Sequence, residues 1–371
     1  MYIPRVLLNL LVSTTGSRRR LNRRIAAALV IPAMLVSCSS IGPPHVARDR
    51  FDYAQALSRS WKENMLLNLV KLRYADAPLF LDVASVVEQY TLQGEVSTAA
   101  QFPNPSANPS SVGGTLQWAD RPTITFQPLT GEHFTRSLLT PIKPEQIMDL
   151  IQAGWPVDFV FRFGVRAING IRVGTPNRMM VEGDDPRLGK LLEALLGLQR
   201  KDGIGLRREE PKGTAEEAFV VLPRTADEQQ EKDRRVVAET LGIDPARSEY
   251  QLTYGAVSVS KGEIALLTRT VFEILVVLSF DVQVPPAHEQ EGRVGPPLPA
   301  GAQKLTALHV LSGKDRPSDT FAAVRYEGYW FWIDNRDFSS KRILSFMMIL
   351  LALTERGGPV AAPALTLPTG P

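Results

Sequence analysis

The chain has 371 residues, 44% of them hydrophobic, with 42 basic and 39 acidic side chains and a net charge of +3. That balance excludes a disordered polymer and leaves enough length for one large or two ordinary cores. A single cysteine excludes a disulfide framework and thiol–disulfide redox chemistry.

At the N-terminus, Arg18, Arg19, Arg20, Arg23 and Arg24 precede an apolar run from Ile25 to Val36, and Leu35-Val36-Ser37-Cys38 closes it. A basic head, an apolar stretch of roughly 7–15 residues and a small-residue cleavage site make an export signal. The run is shorter than the roughly 20 residues that span a bilayer. Within this segment the chain resembles bacterial lipoproteins, whose leucine, two small or aliphatic residues and cysteine direct lipidation of the thiol and cleavage before it. The resemblance implies that residues 1–37 are a removed signal peptide and that Cys38 carries the lipid, with more than one acyl chain, as stable anchoring requires. Ser39 in the next position resembles outer-membrane lipoproteins of Gram-negative envelopes, facing the periplasm; in a Gram-positive host the same signal implies a cell-membrane lipoprotein. The competing reading of Cys38 is an ordinary thiol in an N-terminal helix. Ser17 to Leu21 also loosely resembles a twin-arginine export signal, and the extra apolar patch Val6 to Val12 fits a translation start downstream of Met1.

Residues 1–37 hold six arginines, Arg5 and the five above, and no acid. Subtracting those six from 42 leaves 36 basic against 39 acidic residues, so the basic excess belongs to the leader. A nucleic-acid partner is excluded on that ground.

Residues 38–49, with Pro43 and Pro44, read as a tether. An N-terminal α+β region follows over 50–202. Asp52 opens a helix in which Leu57, Trp61, Met65, Leu69 and Leu72 share one face. Leu79 to Gln101 and Thr123 to Phe126 have strand patterns, with a Pro/Asn/Ser loop over Pro103 to Gly114 between them. Thr130 caps a short helix through Leu139, and Pro144 starts another with Ile147, Leu150 and Ile151 inward. Val157, Phe159, Phe161 and Phe163 alternate with Asp158 and Arg162, which predicts a strand covered on one side, before an Asn169-Gly170 turn. Asp185-Pro186 opens a leucine-rich core helix.

The C-terminal region, 203–371, reads as ββα three times. Gly203 to Arg208 and Ala218 to Leu222 precede a helix with a Thr225/Glu228 capping box. Tyr250 to Val259 and Ile264 to Leu267 precede a helix around Val271 to Phe280. Ala307 to Ser312 and Phe321 to Ile333 precede a helix around Ser340 to Leu353. Residues 284–301, rich in proline and glycine, read as a linker or exposed loop. The expected class is α+β, antiparallel sheet with packed helices.

The most distinctive local sequence is Tyr326-Glu327-Gly328-Tyr329-Trp330-Phe331-Trp332. A Glu327-Gly328 turn pairs Tyr326 with Tyr329, Arg325 with Trp330 and Val324 with Phe331. Val324, Tyr326, Tyr329, Phe331 and Ile333 then share one face, and Arg325, Trp330 and Trp332 the other. The second face is either buried with Arg325 stacked on Trp330, or a candidate binding face for a partner or glycan. Asp334-Asn335-Arg336-Asp337 reads as turn and helix cap rather than a calcium loop, and Glu182, Asp184 and Asp185 likewise as turn residues. His45, His133, His288 and His309 have no metal-ligand spacing, so no metal and no cofactor is expected. No nucleophile elbow, P-loop or dinucleotide motif occurs, although a Ser-His-Asp triad is recognised by geometry and not by order. The expected role is therefore a non-catalytic adaptor or envelope-assembly function for an envelope protein partner. The alternatives are a lipid-tethered envelope hydrolase and glycan or peptidoglycan binding through the Tyr329–Trp332 strand.

Overall fold

The computed structural model describes residues 43–87, 90–99, 111–120, 123–128, 131–176, 181–210, 217–295 and 308–354. Cys38, the leader and Thr130 lie outside them. The class is α+β, as expected, and the described residues divide into two units: up to Ser58 with Leu81–Pro128, and Arg59–Phe80 with the chain from Leu129 onward.

Helix α1, Pro43–Arg73, begins nine residues ahead of Asp52, so the tether is helical from Pro43. Pro43 and Pro44 lie in its first turn, where a missing N–H costs nothing. In the first unit, β1 (Leu81–Val87) pairs antiparallel with β4 (Thr123–Pro128), and β2 (Tyr90–Ala99) with β3 (Ser111–Asp120). Ser111 to Gly114, expected in a loop, are thus strand; the prolines before them lie outside the described residues.

In the second unit, α2 (Gly131–Phe134) continues through a π turn to Leu139, and α3 spans Pro144–Gln152 with Pro144 at its first position. The segment Val157–Gly164, expected as a strand, is helix α4. Its apolar residues satisfy both periods: Val157, Val160, Phe161 and Gly164 make a helical face, while Asp158 and Arg162 stand four apart on the other. Burial decides the choice, because Phe159 and Phe163 are buried as well and Phe159 meets Phe346, ring centroids 5.0 Å apart. With six of its eight residues buried, only half-buried Asp158 and Arg162 are left to mark a polar side, and two positions four apart do not separate a helix from a strand.

The strand arrives directly afterwards, as β5 (Val165–Ile168), turned by Asn169 and Gly170 at φ 44° and 80° into β6 (Ile171–Arg172). β7 (Thr175–Pro176) and β8 (Val181–Glu182) form a small hairpin before α5, Leu188–Gln199. β9 (Gly205–Glu209), β10 (Glu217–Val221), α6 (Glu228–Leu241), β11 (Glu249–Tyr254), β12 (Glu263–Thr268) and α7 (Val271–Ser279) follow. β5, β6 and β9–β12 build one six-stranded sheet, ordered β6-β5-β12-β11-β10-β9, so a single sheet spans the 202/203 boundary drawn from sequence. It is antiparallel except for β11 and β12, which run parallel. Ile168, Val220, Ile264 and Leu266 pack beneath Ile151 and Val157 of α3 and α4, Leu195 of α5 and Leu241 of α6.

Helix α6 is capped by Asp227, whose carboxylate accepts from the Gln230 amide; Thr225 instead accepts from the Asp227 amide. The reciprocal capping box lies at Thr270 and Glu273, opening α7. Within 284–301, expected as a linker or exposed loop, the described residues 284–295 include a short helix, α8 (Pro286–Gln290), and bury Val284, Pro285 and His288 while the residues from Glu289 to Arg293 are exposed. The last sheet has β13 (Leu311–Gly313), β15 (Tyr329–Asp334) and β14 (Thr320–Tyr326) in that spatial order, and α9 (Phe338–Thr354) closes the described chain. Its buried stripe of Ile343, Leu344, Phe346, Met347 and Leu350 makes it a core helix, and among the described residues no helix is long and apolar enough to cross a membrane.

Candidate functional site

The C-terminal hairpin has the expected register: Tyr326 faces Tyr329, Arg325 faces Trp330 and Val324 faces Phe331. Glu327 and Gly328, at φ 46° and 83°, make the left-handed two-residue turn whose twist matches antiparallel strands. Strand alternation then separates two faces. Val324, Phe331 and Ile333 are buried on the inner face, while Trp330 and Trp332 are half-buried and Arg325 is exposed on the outer one.

On the outer face, each tryptophan sits between two strands: Trp330 between Arg325 and Gly313, Trp332 between Ala323 and Leu311. A Cβ at Gly313 would stand 3.3 Å from the Trp332 ring, a tight contact, so the indole lies closely across the bare backbone of β13. The cation over Trp330 is Arg316, 5.4 Å from the ring centroid, and not Arg325. Arg316 comes from the turn joining β13 to β14, a neighbour that pairing within one hairpin cannot reveal. Farther along β14, the Phe321 ring lies under both Lys62, at 4.7 Å, and Lys341, at 5.5 Å. On the outer face, Trp330 is thus an aromatic ring covered by a long basic side chain, while Phe321, at the bulge of β14, packs against the core with its two lysines over the ring.

Beneath it runs an aromatic seam that sequence reasoning missed. The Tyr74 hydroxyl and His288 Nδ1 are 2.7 Å apart, and the Tyr74 ring meets those of Tyr326 and Phe331 edge-on at 5.3 and 6.1 Å. His288 also stands edge-on to Tyr329, at 4.9 Å. Tyr326 donates to Asp76, at 3.1 Å, which Lys71 holds from the other side at 3.2 Å. Burial pushes the Tyr74 hydroxyl up to about 12, against the opposing charge of Arg73. Burial and the bond to Asp76 push Tyr326 to about 12 as well. Both phenols stay protonated at neutral pH and act as hydrogen-bond partners. No periodicity marks this seam, since His288 and Tyr74 lie 214 residues apart.

One serine, histidine and aspartate do converge. His309 Nδ1 lies 2.8 Å from Asp337 Oδ2, and the Ser340 hydroxyl lies 2.6 Å from the same oxygen. Ser340 thus bonds the carboxylate and not the imidazole, the reverse of a nucleophile–base relay. Asp337 also accepts from the Ser340 amide, at 3.0 Å, and so caps α9. Burial would raise the Asp337 carboxyl, but the Ser340 bonds and His309 outweigh it and hold the pKa below the usual carboxylate range. Asp334 accepts from the Arg336 amide at 2.7 Å, completing a turn and cap as the sequence predicts.

The acidic group before α5 has the same character. Asp184 accepts from the Gly174 amide at 2.9 Å, and Asp185 grips Arg187 at 2.8 Å. Among the described residues no group of three or more His, Cys, Asp or Glu side chains could hold a metal ion. Comparison of the chain with protein-family models, with curated proteins and with solved structures finds no match.

Proposed function

We propose that the chain is a lipid-anchored envelope protein, attached through Cys38 and facing the periplasm from the outer membrane, whose folded body acts as a non-catalytic adaptor for an envelope protein partner. The observation that carries this is Leu35-Val36-Ser37-Cys38, where the only cysteine of the chain ends an arginine-headed apolar segment. The outer face of β13–β15 supports the adaptor role: Trp330, under Arg316, and Trp332 are both half-buried there, and aromatic and arginine side chains dominate binding energy at protein interfaces.

Cells expressing the chain with or without Cys38→Ser, grown with radiolabelled palmitate, test the anchor. Label and membrane fractionation should both disappear in the variant; retained label removes the reading. A photo-crosslinking residue in place of Arg325 should then capture a neighbour in intact cells that the same probe at Glu193, on α5, does not.

A second reading, a glycan or peptidoglycan binder, draws on the partial exposure of both indoles. It predicts that Trp330→Ala and Trp332→Ala each weaken retention on insoluble peptidoglycan by roughly tenfold, the scale of one lost stacking contact of about 1.4 kcal/mol. Unchanged retention ends it.

A further inference from the structure

Strands β11 and β12 are parallel neighbours, yet only residues 255–262 connect them. Parallel pairs ordinarily need a crossover of roughly a dozen residues or more, commonly a helix. Here the return is a short loop pinned at many points. The Gly255 amide bonds Leu266 O at 3.1 Å, the Gly170 amide bonds Ala256 O at 2.7 Å, and Gln251 and Asp244 donate to Gly262 O and Lys261 O at 2.9 Å. The Glu263 carboxylate accepts from the Thr253 hydroxyl and, at 3.1 Å, from the Val259 amide.

The loop presents apolar side chains to solvent. Tyr254 is 55% exposed, Val257 67% and Val259 93%. Scattered exposed valines need no explanation, but three exposed large apolar residues within six positions of one pinned loop are a local concentration.

Directly after Val259, residues Ser260, Lys261 and Gly262 wall an open cleft of about 630 Å³ that Arg247, Ser248 and Gln251 also line. Two bases, Arg247 and Lys261, line it with two acids, Asp244 and Glu249, and Arg224 lies outside the lining. Arg247 has its nearest carboxylate, Asp244, 3.9 Å away and a side chain 60% exposed. Lys261 and Arg224 have no carboxylate partner among the described residues, Arg224 spending its guanidinium on Ala246 O. Glu249, the other acid in the cleft, is taken by Arg207 at 2.6 Å.

We propose that this loop and cleft form a peripheral contact with an anionic bilayer surface. Tyr254, Val257 and Val259 enter the interfacial layer, and Arg247, Lys261 and Arg224 pair with lipid phosphates. Apolar tips beside basic side chains bind in this way, through apolar burial plus attraction to anionic headgroups. The choice of a lipid surface over a protein rests on the anchored reading, which keeps the body beside a membrane, and on Lys261 and Arg224, basic side chains without a carboxylate partner among the described residues, next to the exposed apolar ones.

The full chain carrying Cys38→Ser has no cysteine left, so Val259→Cys in that background takes a single environment-sensitive fluorophore. With phosphatidylglycerol-containing vesicles its emission should shift to the blue, and with phosphatidylcholine vesicles it should not. The same label at Glu193→Cys should stay unchanged with both. Arg247→Glu with Lys261→Glu, and separately Val257→Asp, should each weaken vesicle binding at least tenfold, and raising salt should do the same. No shift at Val259→Cys, or binding unaltered by these substitutions, overturns the proposal; so does self-association of the chain through the loop with no vesicle binding. Palmitate labelling at Cys38 is read separately, so an absent vesicle signal with intact labelling rejects this contact and spares the anchor, and the converse rejects the anchor alone.

Discussion

The Tyr74 hydroxyl and His288 Nδ1, 2.7 Å apart, join the C-terminal end of α1 to the packed segment after α7. The contact is reinforced by Arg73, which donates to Gly295 O at 3.1 Å, and by Arg293, which pairs with Glu327 at 3.1 Å. Together these bonds hold residues 284–295 against the hairpin turn. Tyr74→Phe keeps the ring and removes only the hydroxyl, leaving His288 short of a partner. It should cost about 1–2 kcal/mol in urea unfolding, with the denaturant slope unchanged. A wild-type midpoint in Tyr74→Phe would mean that the bond adds nothing.

The two raised phenols set an alkaline limit. Tyr74 and Tyr326 ionise near 12 in the fold, against 10.0 for the free side chain. A raised folded pKa means stability that is complete below pH 10 and drains away between pH 10 and 12. Absorbance titration of the eight tyrosines should show some ionising only as the protein unfolds, and Tyr326→Phe should remove part of that alkaline loss.

Acid sensitivity has its own source in α6. The guanidinium of Arg234, itself buried, bonds Glu231 at 2.7 and 2.9 Å and carries it down to about 2 from 4.5. A depressed folded pKa contributes stability that is present above pH 4.5 and lost as pH falls toward 2. Glu231→Gln should be less stable than wild type at pH 7, and the gap should close by pH 2. A constant gap across that range would assign the effect to packing.

Arg269 is buried, 4% exposed, and its guanidinium is held by backbone carbonyls. It donates to carbonyl oxygens of Arg162, at 2.6 Å, and Val173, at 3.1 Å. Burial lowers its pKa to about 10, against the raising effect of Glu273. Its guanidinium meets carbonyls at the end of α4, where the helix dipole favours a cation. Arg269→Met fills similar volume but orphans those carbonyls, and should cost about 3 kcal/mol. A loss under 1 kcal/mol would mean that water replaces the guanidinium.

The hairpin turn gives a local test. Gly328 has φ 83° with nothing within 4 Å of a Cβ built there, so substitution meets backbone strain and no clash. Gly328→Ala should destabilise by about 1–2 kcal/mol, while Glu327→Gly, at φ 46°, should be neutral or better.

Where local chemistry decides structure, the sequence was readable. Glu327-Gly328 and Asn169-Gly170 name their turns, and each turn dictates the pairing around it, Tyr326 to Tyr329 and Ile168 to Ile171. The leucines of α5 and the apolar run of α9 identified core helices by period and length. Val157–Gly164 misled because apolar residues at nearly every position fit a strand and a helix equally, and only burial among Trp155, Phe159, Phe163 and Phe346 separates the two.

Of the candidate face, sequence alone placed Arg325, Trp330 and Trp332 on one side of a strand, because alternation is a property of the backbone. It also placed the sole cysteine, Cys38, at the end of a signal-like segment, since that pattern is linear. What covers the tryptophans, that Arg316 rather than Arg325 stacks on Trp330, and how Tyr74 finds His288 were settled only in three dimensions. Those contacts join residues from separate turns and helices, and no short-range periodicity encodes which long side chains will meet once the strands and helices have packed.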